Sequence, residues 1–133
     1  MAKTFMDMVK EAQSETTAVT PQELQTQLAE DPNILVIDVR DASDISASGI
    51  IPGGVGISLG TLGYKGDPTM PDALQHSELG DMERPIAVTC ARGAMASMGA
   101  KLLQDMGYKN VTYVAGGTNA WKDAGLDVED FSG

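Results

Sequence analysis

The residues best placed to do chemistry are in Ile86-Ala87-Val88-Thr89-Cys90-Ala91-Arg92-Gly93-Ala94-Met95-Ala96-Ser97. A run rich in β-branched types leads into Cys90, the only cysteine of the chain. A short loop with one glycine follows, and then a helical pattern in which Met98, Leu102 and Met106 recur at i, i+4 and i+8 and suit one buried stripe. Strand, thiol, tight loop and helix N-terminus form an arrangement with chemical meaning. Free loop N–H groups and the positive end of a helix dipole, about half a unit charge, would surround the sulfur and favour an anionic, nucleophilic form. By type alone a single cysteine is more often a small buried apolar group than a catalyst. Its place favours chemistry, because ligands of open α/β sheets bind at the carboxyl ends of strands.

Composition narrows the choice. A chain of 133 residues suits one domain with its own core. Nine basic residues against nineteen acidic ones give a formal charge of −10, which argues against a nucleic-acid or anionic-membrane surface. One Cys leaves no internal disulfide, CxxC pair or resolving thiol, so sulfur chemistry would end on another molecule. One His leaves no histidine cluster, and no metal or other cofactor is expected. No apolar run approaches the ~20 residues of a membrane span. The N-terminus lacks a signal-peptide apolar segment, so a cytoplasmic protein is expected.

The elements that must position Cys90 alternate along the chain. Residues 1–16 read as an appended amphipathic helix, with Phe5, Met8, Val9 and Ala12 at helical spacing. It could pack on the domain or pair two copies, so a monomer or a homodimer through this helix is expected. Ala18-Val19-Thr20 suits a short strand. Thr20-Pro21-Gln22-Glu23 is a capping-box helix start with Pro at the first position, and Asp31-Pro32-Asn33 a stop. Ile34 to Ile37 predicts a strand buried on both faces, ending in Asp38-Val39-Arg40-Asp41. A short helix over Asp44 to Ser48, a turn at Ile51-Pro52-Gly53-Gly54 and a strand at Val55 to Ile57 follow.

Residues 60–83 carry weak periodicity and predict a long connection with one helical turn near Asp72 to Leu79; His76 there reads as a surface residue. The helix after Cys90 should end at Gly107. Val111 to Val114 predicts a strand. Ala115-Gly116-Gly117 predicts a turn of close backbone approach, and Thr118 the cap of a short helix with Trp121 as core anchor. The acidic end, residues 129–133 with the stretch just before it, is expected to fray. The alternation predicts an α/β fold: one mostly parallel five-stranded sheet with helices on both faces.

Taken together, four pieces give the chain a family resemblance. They are Ile37-Asp38-Val39-Arg40, Gly49-Ile50-Ile51-Pro52-Gly53-Gly54, Cys90-Ala91-Arg92-Gly93, and Leu102 to Val111 followed by Gly116-Gly117 and Ala120-Trp121. In this order and spacing the chain resembles the single-domain rhodanese-like sulfurtransferases, the likeness covering residues 17–128. The resemblance implies that Cys90 accepts a sulfane sulfur from thiosulfate or a persulfide donor, carries it as a persulfide, and passes it to a thiophilic acceptor. The implied partners are thus a small sulfur donor and acceptor or a protein persulfide. It implies that Ala91, Arg92, Gly93, Ala94, Met95 and Ala96 form the cradle, and that Asp38 and Arg40 support the site.

Two departures stand out. The family loop often reads Cys-x-x-Gly-x-Arg-Ser, and Met95 and Ala96 hold its last two positions here. Ile50 stands where the family turn usually has His. The Met95 and Ala96 departures, the N-terminal amphipathic helix and the acidic surface keep a second expectation open, a catalytically idle rhodanese-like binding or regulatory module. The related phosphatases place Arg six residues beyond the Cys, a position occupied by Ala96.

Overall fold

The computed structural model describes residues 2–133. A five-stranded, fully parallel sheet runs in the order β1-β5-β4-β2-β3, built from β1 (Thr17–Val19), β2 (Leu35–Asp38), β3 (Val55–Gly56), β4 (Ile86–Thr89) and β5 (Val111–Val114). The register pairs Asp38 with Thr89 and Ile37 with Val88 across the two central strands. Both strands are wholly buried, as their apolar sequences require of a sheet covered on two faces.

Side chains alternate between the faces. Leu35, Ile37, Ile86 and Val88 join Leu62 of α4 (Leu59–Lys65) and Ala96, Ala100 and Leu103 of α5 (Ala94–Asp105). Val36, Ala87 and Val114 join Leu24 of α2 (Pro21–Glu30) and Trp121 of α6 (Gly117–Asp123) on the other face. Trp121 is the core anchor its type suggested, and its indole N–H donates to Asp127 O at 2.8 Å. Thr20 and Glu23 form the capping box of α2, both bonds present. The remaining helices are α1 (Phe5–Glu15), α3 (Ala42–Ser48) and a single 3₁₀ turn at Asp72–Leu74. No helix among the described residues is long and apolar enough to cross a membrane.

Five expectations change. The connection over residues 60–83 opens with α4, whose glycines, Gly60 and Gly63, give it poor helix propensity. Packing decides it instead: Leu62 is fully buried beneath α5. The helical turn expected over 72–79 shrinks to Asp72–Leu74. On α5 the face against the sheet is Ala96, Gly99, Ala100 and Leu103, not Met98, Leu102 and Met106, which are only half-buried. A Cβ on Gly99 would lie 3.2 Å from Val88 Cγ1, so small residues bring this helix close onto β4. His76 is half-buried: its ring nitrogen Nδ1 accepts from Glu78 N at 3.1 Å, and burial, with the charge of Lys65, pushes its pKa down. Finally, the acidic end is tied down. Ile50 and Glu129 form an antiparallel bridge, Glu129 Oε1 accepts from Gly53 N at 2.8 Å, and Phe131 packs over Gly56.

Candidate active site

The chain leaves β2 towards β3 on one side of the sheet and leaves β4 towards β5 on the other. The crevice between the carboxyl ends of β2 and β4 is therefore the topological switch point, the place where α/β sheets bind ligands. Cys90 follows the last residue of β4, and Arg40 lies just beyond the end of β2. Val39 N donates to Thr89 O at 2.9 Å and locks the two strand ends together.

Cys90 is buried, 3% exposed. Its Sγ accepts hydrogen bonds from Gly93 N at 3.0 Å and Ala96 N at 3.3 Å. Ala96 is the third residue of α5, so its N–H is one of those the helix cannot satisfy internally. Gly93 is the N-cap and sits in the left-handed region at φ 99°, where a side chain would be strained. The sulfur is thus the side-chain acceptor for a helix N-terminus that has no side-chain cap of its own.

The outside of the loop is held by α6. Thr118 N donates to Cys90 O at 2.8 Å and Asn119 N to Ala91 O at 3.0 Å. The loop's first two carbonyls are thereby engaged by one helix N-terminus while N–H groups from its far end reach the sulfur. Close approach demands glycine: a Cβ on Gly117 would lie 2.5 Å from Cys90 O, at φ 65°. The buried hydroxyls of Thr89 and Thr118 share a 3.0 Å hydrogen bond, and Thr89 Oγ1 also donates to Cys90 O at 3.3 Å.

At the end of β2, Arg40 and Asp38 form a buried pair. Nε of Arg40 donates to both carboxylate oxygens at 3.0 and 3.2 Å, and Nη2 to Oδ2 at 2.7 Å. Nη1 donates to Ser48 Oγ at 2.7 Å and Nη2 to Gly49 O at 3.0 Å. The guanidinium thus clamps the strand end to the turn after α3. Its pKa is raised, chiefly by the hydrogen bonds to Asp38.

Among the cradle residues, Gly93 and Ala96 are buried, and Ala91, Ala94 and Met95 are half-buried. Met95 packs against the core. Arg92 is exposed and joins no ion pair among the described residues. Thr89 and Thr118 join the site through a hydroxyl contact that neither residue's local sequence signals. The Gly116-Gly117 turn was the legible signal of close approach there. Thr118 is not the cap of α6; that position is Gly116, and Thr118 lies inside the helix against the Cys90 loop.

Residues 20–124 match the model of the rhodanese-like domain. The chain belongs to the rhodanese-like family. Over 56 residues it is 39% identical to thiosulfate sulfurtransferase GlpE of Haemophilus influenzae, a match covering 42% of this chain and 53% of that protein. The rhodanese-like chain thus aligns with about half the length of that relative. The protein of the same name from Actinobacillus succinogenes is 29% identical over 113 residues, 85% of this chain and 90% of that one. In structure, a Rhodopseudomonas palustris protein of unknown function, described as a possible tyrosine phosphatase, superposes with a TM-score of 0.86 at 30% identity over 97% of this chain and 96% of its own. The polysulfide-sulfur transferase homodimer of Wolinella succinogenes superposes at 0.75 and 29% identity, over 96% and 88% of the two chains.

Proposed function

We propose that this rhodanese-like chain is a sulfurtransferase working through a persulfide on Cys90. The observation that carries the reading is the pair of N–H groups, Gly93 and Ala96, converging on a buried Sγ. Cys90 thiolate attacks the outer sulfur of thiosulfate or a persulfide; the donor's S–S bond breaks, and sulfite or a thiolate departs with the electron pair. Residues Ala91 to Ala96 then cradle the persulfide, which needs preorganised donors and no metal. A thiophilic acceptor attacks the outer sulfur and returns the electron pair to Cys90. Asp38 and Arg40 hold the strand end beside the loop. Exposed Arg92 supplies the loop's own cation. A cytoplasmic setting, where thiols stay reduced, suits a chemistry resting on one free cysteine.

A phosphatase reading is disfavoured by Ala96. At that position the loop offers a backbone N–H and no guanidinium, so a phosphate dianion would lack its bidentate partner. The idle-module reading has the Met95 and Ala96 departures, the N-terminal helix and the acidic surface behind it, and the two N–H groups on Sγ weigh against it. The test is catalysed transfer of sulfur from thiosulfate or an inorganic polysulfide to a thiol. Met95→Arg is expected to raise thiosulfate kcat/KM by about tenfold, the worth of one charge-assisted contact. No gain would mean that Arg92 and the backbone already hold the donor; absence of transfer with every donor would favour the idle module.

We also propose a homodimer through α1. Phe5, Met6 and Met8 are 50%, 52% and 40% exposed, and large apolar side chains this open suit a protein contact. The Wolinella neighbour is a homodimer, and the superposition over 96% of this chain takes in most of α1. Sedimentation equilibrium should give a dimer that Met6→Glu converts to monomer. A wild-type monomer at tens of micromolar would contradict the assembly and leave the sulfur chemistry untouched.

A further inference from the structure

Five polar or charged side chains are buried among the described residues: Asp38, Arg40, Thr89, Ser97 and Thr118. Asp38 and Arg40 are the strand-end pair, and Ser97 closes the first turn of α5 by donating to Ala94 O at 2.7 Å. The two threonines have no such local duty. Thr89 ends β4, and alternation sets its side chain on the face opposite Val88, under α6. The apolar members of that face include Val36, Ala87, Val114 and Trp121. Two valines would suit such surroundings as well, because replacing both partners of a buried hydrogen bond by apolar groups of the same shape is nearly neutral. Packing alone therefore does not ask for hydroxyls here.

The direction of the bonds follows from counting protons. A hydroxyl has one proton to give. Thr89 Oγ1 gives its proton to Cys90 O at 3.3 Å, so in the 3.0 Å contact between the hydroxyls Thr118 is the donor and Thr89 the acceptor. Cys90 O thus takes two donors, Thr89 Oγ1 and, at 2.8 Å, Thr118 N. Both come from the threonine pair. Asn119 N holds the next carbonyl, Ala91 O, at 3.0 Å. A trans peptide points its N–H opposite to its carbonyl. These bonds therefore fix the planes of the first two peptides of the loop and turn the N–H groups of Ala91 and Arg92 away from α6. The same loop must bring Gly93 N and Ala96 N back to Sγ, at 3.0 and 3.3 Å.

We propose that Thr89 and Thr118 are positioning residues for sulfur transfer: their hydroxyl pair fixes the Cys90 carbonyl, and with it the Cys90–Ala91 peptide plane, so that Sγ stays aligned with the N–H groups of Gly93 and Ala96. The inference rests on the sulfurtransferase reading and deepens it by naming two residues that act on the loop without bonding to the sulfur. A small misplacement of a reacting group is costly in rate even where the fold survives. The pair therefore serves the geometry of the loop more than the stability of the core.

The test is the double variant Thr89→Val with Thr118→Val, which strands neither hydroxyl. Its urea midpoint should stay within about 0.5 M of wild type. Its single-turnover loading from inorganic polysulfide, read by intact-protein mass spectrometry, should nonetheless slow about tenfold at saturating donor, with the half-saturating concentration unchanged. The double variant Thr89→Ser with Thr118→Ser keeps both hydroxyls and should load within about threefold of wild type. Wild-type loading by the valine protein overturns the positioning role, and so does a midpoint that falls in step with the rate. A second arm needs no sulfur chemistry. Amide hydrogen exchange at Gly93 and Ala96, followed by NMR, should quicken about tenfold in the valine protein while Val88 in β4 keeps its protection. Unchanged exchange at both amides overturns the proposal. If the valine protein does not fold, Thr118→Ala carries the same two measurements with the same outcomes. Failure of the wild-type protein to load any sulfur counts against the sulfurtransferase reading alone, because the exchange arm still decides the pair.

Discussion

Cys90→Ser is expected to abolish sulfur transfer and to leave the fold intact. The serine oxygen fits the space of the sulfur and can accept from the same donors, Gly93 N and Ala96 N. The loop's other anchors, from Thr118 N and Asn119 N to the carbonyls of residues 90 and 91, are backbone bonds that do not depend on the side chain. A hydroxyl, however, is not appreciably ionised near neutral pH and forms no persulfide. Transfer from any sulfane donor should fall below about a hundredth of the wild-type rate. Urea unfolding should change by no more than about 1 kcal/mol. Substantial residual transfer in the folded variant would mean that the donor and acceptor react on the surface without a covalent carrier.

Asp38→Asn should carry the largest stability penalty of the substitutions considered. Arg40 is 7% exposed and Asp38 fully buried. Asn keeps the shape but removes the charge that offsets a buried guanidinium, and its amide nitrogen faces a group that can only donate. Breaking one side of a buried pair costs about 3–5 kcal/mol, far above the ~1 kcal/mol of an exposed one. The urea midpoint should drop accordingly. Arg40→Met should be similarly costly, because it strands the carboxylate. The double variant should recover part of the loss, since neither charge is then left alone. Activity should fall as well, because Val39, between the pair, is the residue bonded to Thr89 next to Cys90. Additive losses in the double variant would show that the pair is not the source of the penalty.

The strand end that carries Cys90 was legible in the sequence for a physical reason. Ile86 to Thr89 and Leu35 to Asp38 are apolar enough to read as doubly buried strands, and glycine at 93 marks the left-handed cap that lets the loop turn back to the sulfur. Gly116-Gly117 likewise advertised a close backbone approach, later seen against Cys90 O. What it did not disclose depends on partners distant in the chain. Helix α4 exists because Leu62 has a site under α5, against the local preference of its glycines. The meaning of Thr118 depends on Thr89, twenty-nine positions away, sharing its hydroxyl bond. Met98, Leu102 and Met106 follow helical spacing as well as the true core face does. Periodicity alone could not reveal that α5 needs Ala96, Gly99 and Ala100 to lie close on the sheet, with Met98, Leu102 and Met106 only half-buried. The tail shows the same limit: its acidic composition suggested fraying, but Glu129 finds Ile50 and Gly53 across the fold.

The central claim is that Cys90, held by Gly93 N and Ala96 N, is a sulfur carrier. Intact-protein mass spectrometry after exposure to thiosulfate, inorganic polysulfide and glutathione persulfide tests it most directly, with the added mass mapped by proteolysis. The expected result is one sulfur atom gained from at least one donor, located on the peptide containing Cys90 and removed by a thiol acceptor. A protein that stays unmodified by all three donors, with Cys90 confirmed reduced, would contradict it.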